Sequence, residues 1–400
     1  MAVSQEAIRY NAAQKMFWAA LSVVVARLFG GLGVITTVHA LRGLAALAVV
    51  LLHTNYLFFG AISSQFQAVS IFFVISGFIV AYITEHGTEN FLIRRVFRVL
   101  PIYWLVTIFA LIWYPLGQFS WLALVFSDPA QAILQVEGAL FNPDFFPYVL
   151  KNLLMIPYPD PSSGAYTLFV YPAWTLAIEC FFYLLFGVLA MLGRKPALIV
   201  ISAFFVGCNL FRILGDGHGV LGFYGKQESL YIVSGFGVYW LWKRSDKVAE
   251  LPRILFKILA LIVAALVFAS NVPLAYSQTS PVWNNFLQYT WHILPPVVVL
   301  TALMMHTAGI RCNFRVIVFL GDISYALYLV HTIVLTTFDR YASVYPFLEF
   351  RHNFKGVVLA VAVSCLVAWV LHVGFEKPII RFGKRFIREK KVIAPTAVAS

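Results

Sequence analysis

Apolar runs close to 20 residues long follow one another along almost the whole chain, separated by short polar or charged stretches. Runs of that length predict helices that cross a bilayer. Ten are read, at about 40–60, 67–84, 99–116, 173–192, 197–214, 228–242, 254–272, 287–306, 319–337 and 355–375. The expected fold is therefore all-α, a polytopic membrane bundle of about ten transmembrane helices. Before the first run, residues 1–36 are broken by Arg27, Gly30, Gly31 and Gly33 and lack a signal-peptide cleavage pattern, so they read as an amphipathic or poorly ordered extension, with an extra span as the alternative. The longest interruption, Gln118 to Pro172, carries the turn signals DPAQ, NPDFFP and PYPDPSSG, and between them KNLLMIPY reads as a short surface helix. A loop this long in a compact bundle is usually functional. No internal repeat or pair of broken helices is visible, which weakens a transporter reading.

Composition supports the same class. The 400 residues are 61% hydrophobic and only 12% charged, too little polar surface to cover a water-soluble domain. The runs leave no room for a second, soluble domain: residues 37–380 form one membrane domain and 381–400 a basic cytoplasmic tail. The net charge of +12 points to the excess of Lys and Arg in cytoplasmic loops rather than to nucleic acid. With the segment before Arg42 inside, the inner loops and tail hold nineteen Lys and Arg against five outside, which puts both ends of the core in the cytoplasm. The four cysteines show neither a disulfide framework nor metal-ligand spacing, and no metal is expected.

Against this background the ionisable residues within the runs stand out, because charge is expensive inside a membrane. In ALRGLAALAVVLLH, Arg42 and His53 are eleven residues apart, close to three turns, so both share one helical face with about 16 Å of rise between them. The expectation is a cation near the inner surface and an imidazole well inside the bilayer. In ENFLIRRVFRVLPIYW, Arg95 and Arg98 form an i, i+3 pair and Arg94 and Arg98 an i, i+4 pair; the cluster suits either phosphate oxygens or anionic lipid heads. PAWTLAIECFFY places Trp174 at the outer interface and Glu179 about two turns deeper, in need of a partner or a wet cavity. FLGDISYALYLVH places Asp322 near the inner surface and His331 further out. Counted from these boundaries, His53, Glu179 and His331 lie at one level in the outer half of the bilayer. If they face one cavity, the site has a base, a carboxylate to set its tautomer, and donors from Tyr325 or Tyr328.

Together, ALRGLAALAVVLLH, SIFFVISGFIV, RRVFRVLPIYW, PAWTLAIECFFY and GDISYALYLVH resemble the acyltransferase 3 family of integral membrane acyltransferases, over about residues 37–380. The chain is most similar to the stand-alone members that O-acetylate bacterial exopolysaccharides and O-antigens. The resemblance implies that Arg42, His53, Arg95 and Arg98 are functional residues. It implies a multi-pass protein of the bacterial inner membrane, among membrane lipids. The implied donor is cytoplasmic acetyl-CoA, with no permanently bound cofactor, and the implied acceptor is a polysaccharide or lipid-linked glycan. In the expected arrangement Arg95 and Arg98, with Arg94, hold the CoA phosphates, and the pantetheine arm threads past Arg42 to His53. Glu179 or His331 orients the imidazole or binds the sugar, and Trp174 offers the sugar an apolar face. Transfer of succinyl or another acyl group, or transport of a lipid-linked sugar, are the alternatives. The chain departs from the family by starting some 35 residues early and by lacking the hydrolase-like domain fused to some relatives.

Overall fold

The computed structural model describes residues 35–56, 68–85, 87–117, 145–159, 166–215, 217–245, 252–271, 281–312 and 314–387. The extension before residue 35, the whole of the segment 118–144 and the end of the tail lie outside them. Within them the chain is all-helical apart from one two-stranded ribbon. A helix stands at each of the ten apolar stretches: α1 Thr36–His53, α2 Ala68–Ile83, α3 Phe91–Gly117, α5 Ala173–Leu189, α6 Arg194–Leu214, α8 Glu228–Lys243, α9 Arg253–Asn271, α10 Pro281–Thr307, α11 Arg315–Tyr341 and α12 Phe354–Leu371. Shorter helices are α4 Phe145–Leu153, α7 Gly219–Tyr224 and α13 Lys377–Gly383. Five helical segments among the described residues are long and apolar enough to cross a membrane, namely Thr36–His53, Ala173–Leu192, Arg194–Leu214, Arg315–Tyr341 and Phe354–Phe386. Three shorter apolar helices, Ala68–Ile83, Ile254–Ala265 and His292–Thr307, accompany them.

Helix α11 is the centre of the bundle and α6 lies at its edge: 61% of the most apolar window of α11 is buried, against 22% for α6. The apolar residues that α6 leaves exposed, Ile199, Leu210 and Ile213 among them, suit a face turned to lipid. Small residues set the close crossings. A Cβ on Gly43 of α1 would lie 2.5 Å from the backbone nitrogen of Gly321 of α11, and one on Gly77 of α2 would meet the Ile232 carbonyl of α8. In a bilayer, where water drives little association between helices, such backbone approach and van der Waals packing hold helices together.

The outer segment is pinned rather than draped. Buried Asn152 donates to the Tyr148 carbonyl at 2.9 Å and accepts from the Phe169 backbone at 2.7 Å, while Tyr103 of α3 donates to its carbonyl at 2.6 Å. Trp104 donates to the Leu153 carbonyl. The short helix lies earlier than the sequence suggests: only Lys151–Leu153 of KNLLMIPY are helical, because Met155 turns at φ 55° and leads into the antiparallel pair Tyr158–Pro159 and Tyr166–Thr167. This framework brings Phe169 and Tyr171 over the end of α1.

Candidate active site

Two cavities open among the helices, an inner one around the arginine cluster and an outer one at the end of α1. The inner one is lined by Arg42, Arg95, Arg98, Ser76, Glu179, Tyr183, Thr175, Tyr325 and Tyr328. It is narrow, about 70 Å³, room for roughly five waters. It follows α2 from Val69 to Ile79, about 15 Å of helix. Three guanidiniums face one carboxylate here. Glu179 accepts hydrogen bonds from the Ser76 and Tyr183 hydroxyls, two neutral donors, and among the described residues none of the three arginines is ion-paired. Arg95 lies against the Tyr183 ring instead, 4.6 Å from its centroid. A pocket with this excess of unpaired positive charge is built for an anion, and planar guanidiniums suit phosphate oxygens.

His53 sits apart from this cavity, as the last residue of α1. The sequence placed it deep in the bilayer; the helix ends there, and the ring is exposed to an open outer cavity of about 440 Å³. Phe169, Tyr171, Thr332, Thr336, Asp339 and Arg351 share this cavity. His53 Nδ1 lies 2.8 Å from the Val49 carbonyl, which can only accept, so Nδ1 carries the proton and Nε2 keeps its lone pair.

The expected trio of His53, Glu179 and His331 is therefore divided. Glu179 lines the inner cavity with the arginines, where α5 turns its carboxylate to the Ser76 and Tyr183 hydroxyls and away from His53. His331 does adjoin His53, with ring centroids 5.0 Å apart and edge-on. It is fully buried, and its own Nδ1 points to the Leu327 carbonyl at 3.3 Å. Neither residue sets the tautomer of His53, since a backbone carbonyl one turn back does so. Tyr328 stands beside His331, centroids 5.9 Å apart, with its hydroxyl 2.8 Å from Thr175 Oγ1. It lines the inner cavity, His53 lines the outer one, the two share no lining residue, and the buried His331 ring stands between Tyr328 and His53. A continuous passage is thus replaced by two chambers with a partition.

The remaining candidates fall as follows. Arg94 is exposed and absent from the lining, because α3 turns Arg95 and Arg98 inward and Arg94 away. Trp174 lines neither cavity, and Lys226, whose ammonium lies 4.2 Å from the indole centroid, covers one of its faces. Burial there lowers the pKa of Lys226. Tyr325 spends its hydroxyl on the Val99 carbonyl at 2.7 Å and so walls the inner cavity. Asp322 pairs with His39 at 3.1 Å, tying the inner ends of α11 and α1. Sequence reasoning missed Asp339 and Arg351, Thr332 and Thr336, and the Ser76 and Tyr183 partners of Glu179. Only Tyr183 left a signal, its i+4 spacing from Glu179.

The sequence model of the acyltransferase 3 family, described as an acyltransferase domain, matches residues 35–373. The chain belongs to the acyltransferase 3 family. It is 25% identical over 326 residues to the exopolysaccharide production protein ExoZ of Rhizobium meliloti (strain 1021), covering 79% of this chain and 90% of that one. It is 26% identical over 399 residues to "Putative peptidoglycan O-acetyltransferase YrhL" of Bacillus subtilis (strain 168), covering 91% of this chain and 59% of that relative. No solved structure gives a significant match. As an acyltransferase 3 member the protein is a multi-pass membrane protein, in accord with its apolar helices.

Proposed function

We propose that this protein is a membrane O-acyltransferase that moves an acetyl group from acetyl-CoA, bound from the cytoplasm, to a hydroxyl of a polysaccharide or lipid-linked glycan on the far side of the bacterial inner membrane. In this reading all ten apolar helices cross the membrane with both ends of the core inside, as the charge of the loops favours. One observation carries the reading: a crevice with three guanidiniums, none ion-paired among the described residues, leads along the bundle to within one side-chain layer of an imidazole with a free lone pair.

Arg95 and Arg98 would take the CoA phosphates, with Arg42 further along. A narrow crevice of this length suits the slender, uncharged pantetheine arm and excludes the nucleotide. For the thioester to meet His53, Tyr328 has to swing from Thr175. The acceptor hydroxyl then gives its proton to His53 Nε2 as its oxygen bonds to the thioester carbon. The C–S bond breaks, and the departing thiolate takes the proton from the imidazolium, which leaves His53 as it began. Acylation of His53 first, then transfer, would use the same atoms. The names of the relatives, which refer to exopolysaccharide production and peptidoglycan O-acetylation, support a glycan acceptor.

The test is direct binding of acetyl-CoA to the purified protein over a series of salt concentrations. Wild-type affinity should fall as salt rises, and replacing both Arg95 and Arg98 by Gln should weaken it by about a hundredfold and flatten the salt dependence, since each charged hydrogen bond contributes about 1.5–3 kcal/mol. Equal affinity in the double variant would remove the arginines from the donor site.

A further inference from the structure

The outer cavity is as large as many small-molecule sites, yet its chemistry is the opposite of the inner one. Its two fully charged walls cancel: Arg351 Nε donates to Asp339 Oδ1 at 2.8 Å and a second guanidinium nitrogen to Oδ2 at 2.5 Å. Both groups keep unused hydrogen-bonding capacity after this pairing. Arg351 is held in place by the Phe350 ring and, through its backbone nitrogen, by Glu349. Thr332, Thr336 and Asp339 recur at four and three residues, one face of α11, and among the described residues the two threonine hydroxyls have no hydrogen-bond partner. Opposite them Tyr171 is 64% exposed, its ring 6.0 Å from that of His53.

An aromatic face, two free hydroxyls and a self-neutralised pair of bidentate groups match a ligand with one apolar face, many hydroxyls and no net charge. We infer that the outer cavity is the acceptor subsite and that it selects an uncharged pyranose ring over an acidic one. The ring's apolar face would rest on Tyr171, and its vicinal hydroxyls would engage Asp339, Arg351, Thr332 and Thr336, leaving another hydroxyl beside His53. The inference rests on the acyltransfer reading above and adds the class of sugar. Asp339 is the residue that sets the preference, because without it Arg351 would present an unpaired cation to the ligand.

The test uses the full chain in lipid nanodiscs, with binding of neutral cellotetraose, anionic tetragalacturonate and acetyl-CoA measured separately. Wild type should bind cellotetraose at least about tenfold more tightly than tetragalacturonate. Thr332→Val together with Thr336→Val, a change of nearly constant shape, should weaken cellotetraose about tenfold and leave acetyl-CoA binding intact. Asp339→Asn should invert the preference between the two sugars. Tighter binding of tetragalacturonate by wild type, or cellotetraose binding untouched by the threonine pair, would overturn the inference. So would binding of neither sugar by a protein that still binds acetyl-CoA, which would leave the donor reading in place. Binding of cellotetraose as expected without any binding of acetyl-CoA would uphold the subsite and remove the donor reading instead.

Discussion

At the scale of single residues, the chemistry of His53 is set by a backbone carbonyl. Because Val49 fixes the proton on Nδ1, His53→Ala should lower acetyl transfer by about a hundredfold to ten-thousandfold. Acetyl-CoA affinity should hold, since the ring is outside the inner cavity. Parallel measurement of transfer and binding checks this, and a parallel loss of both would refute it. Glu179 makes the opposite prediction. It is the one carboxylate among the guanidiniums, so Glu179→Gln should tighten acetyl-CoA binding and steepen its salt dependence. Weaker binding would show that the carboxylate orients an arginine instead. Arg42, Arg95, Arg98 and His53 stood out in the sequence because charge within apolar runs is rare; the three arginines line one cavity, whereas the spacing of Arg42 and His53 did not bring those two into the same one. The cavity to which Glu179 belongs was not legible: counting residues from a helix end gives depth, whereas the direction in which a side chain points depends on how the helix is rotated against its neighbours. Asp339 and Arg351 looked like ordinary loop-end charges, because the turn that pairs them is a tertiary feature.

At the scale of elements, the contact between α1 and α11 aligns the site. Gly43 and Gly321 meet backbone to backbone, and His53 and His331 each follow ten residues later on helices running the same way. Equal rise from a common contact brings the rings to one level, about 15 Å beyond it. Gly43→Val should force the two helices apart at an immovable backbone nitrogen, destabilising the protein by about 1–3 kcal/mol and reducing transfer in step. Gly237→Ala, where an added Cβ meets nothing within 4 Å, is the control and should leave both thermal stability and transfer unchanged. Thermal unfolding in detergent, read beside activity, separates the two outcomes. The pinned outer segment behaves similarly: Asn152→Ala strands the Phe169 amide and should cost about 1–3 kcal/mol while loosening the wall of the outer cavity. The ten helices could be read from apolar run length alone. The Asn152 anchor and the short ribbon could not, because they arise from contacts between α3 and a segment whose own pattern is mostly turn residues.

At the scale of the whole molecule, the proposed reaction, which joins a donor on one side of a membrane to an acceptor on the other, would have to avoid leaving an open pore between them. The division into two chambers meets that need. In the proposed acyl transfer, Tyr328, hydrogen-bonded to Thr175 and beside His331, would close the inner chamber against the outer one and keep water from the thioester. Of this arrangement the arginine cluster stood out beforehand, whereas the end of α1 at His53 did not; the partition rests on the Thr175–Tyr328 contact between α5 and α11, which no single stretch of sequence encodes. Tyr328→Ala should join the chambers and raise the release of free CoA thiol from acetyl-CoA in the absence of any glycan, severalfold over wild type. Thr175→Ala, which removes the latch but keeps the ring, should give a smaller rise. Thiol release measured with a chromogenic disulfide on protein in nanodiscs distinguishes them. An unchanged background rate in Tyr328→Ala, with acetyl-CoA still bound, would mean that the aromatic layer does not hold water back and that the passage between donor and acceptor runs elsewhere in the bundle.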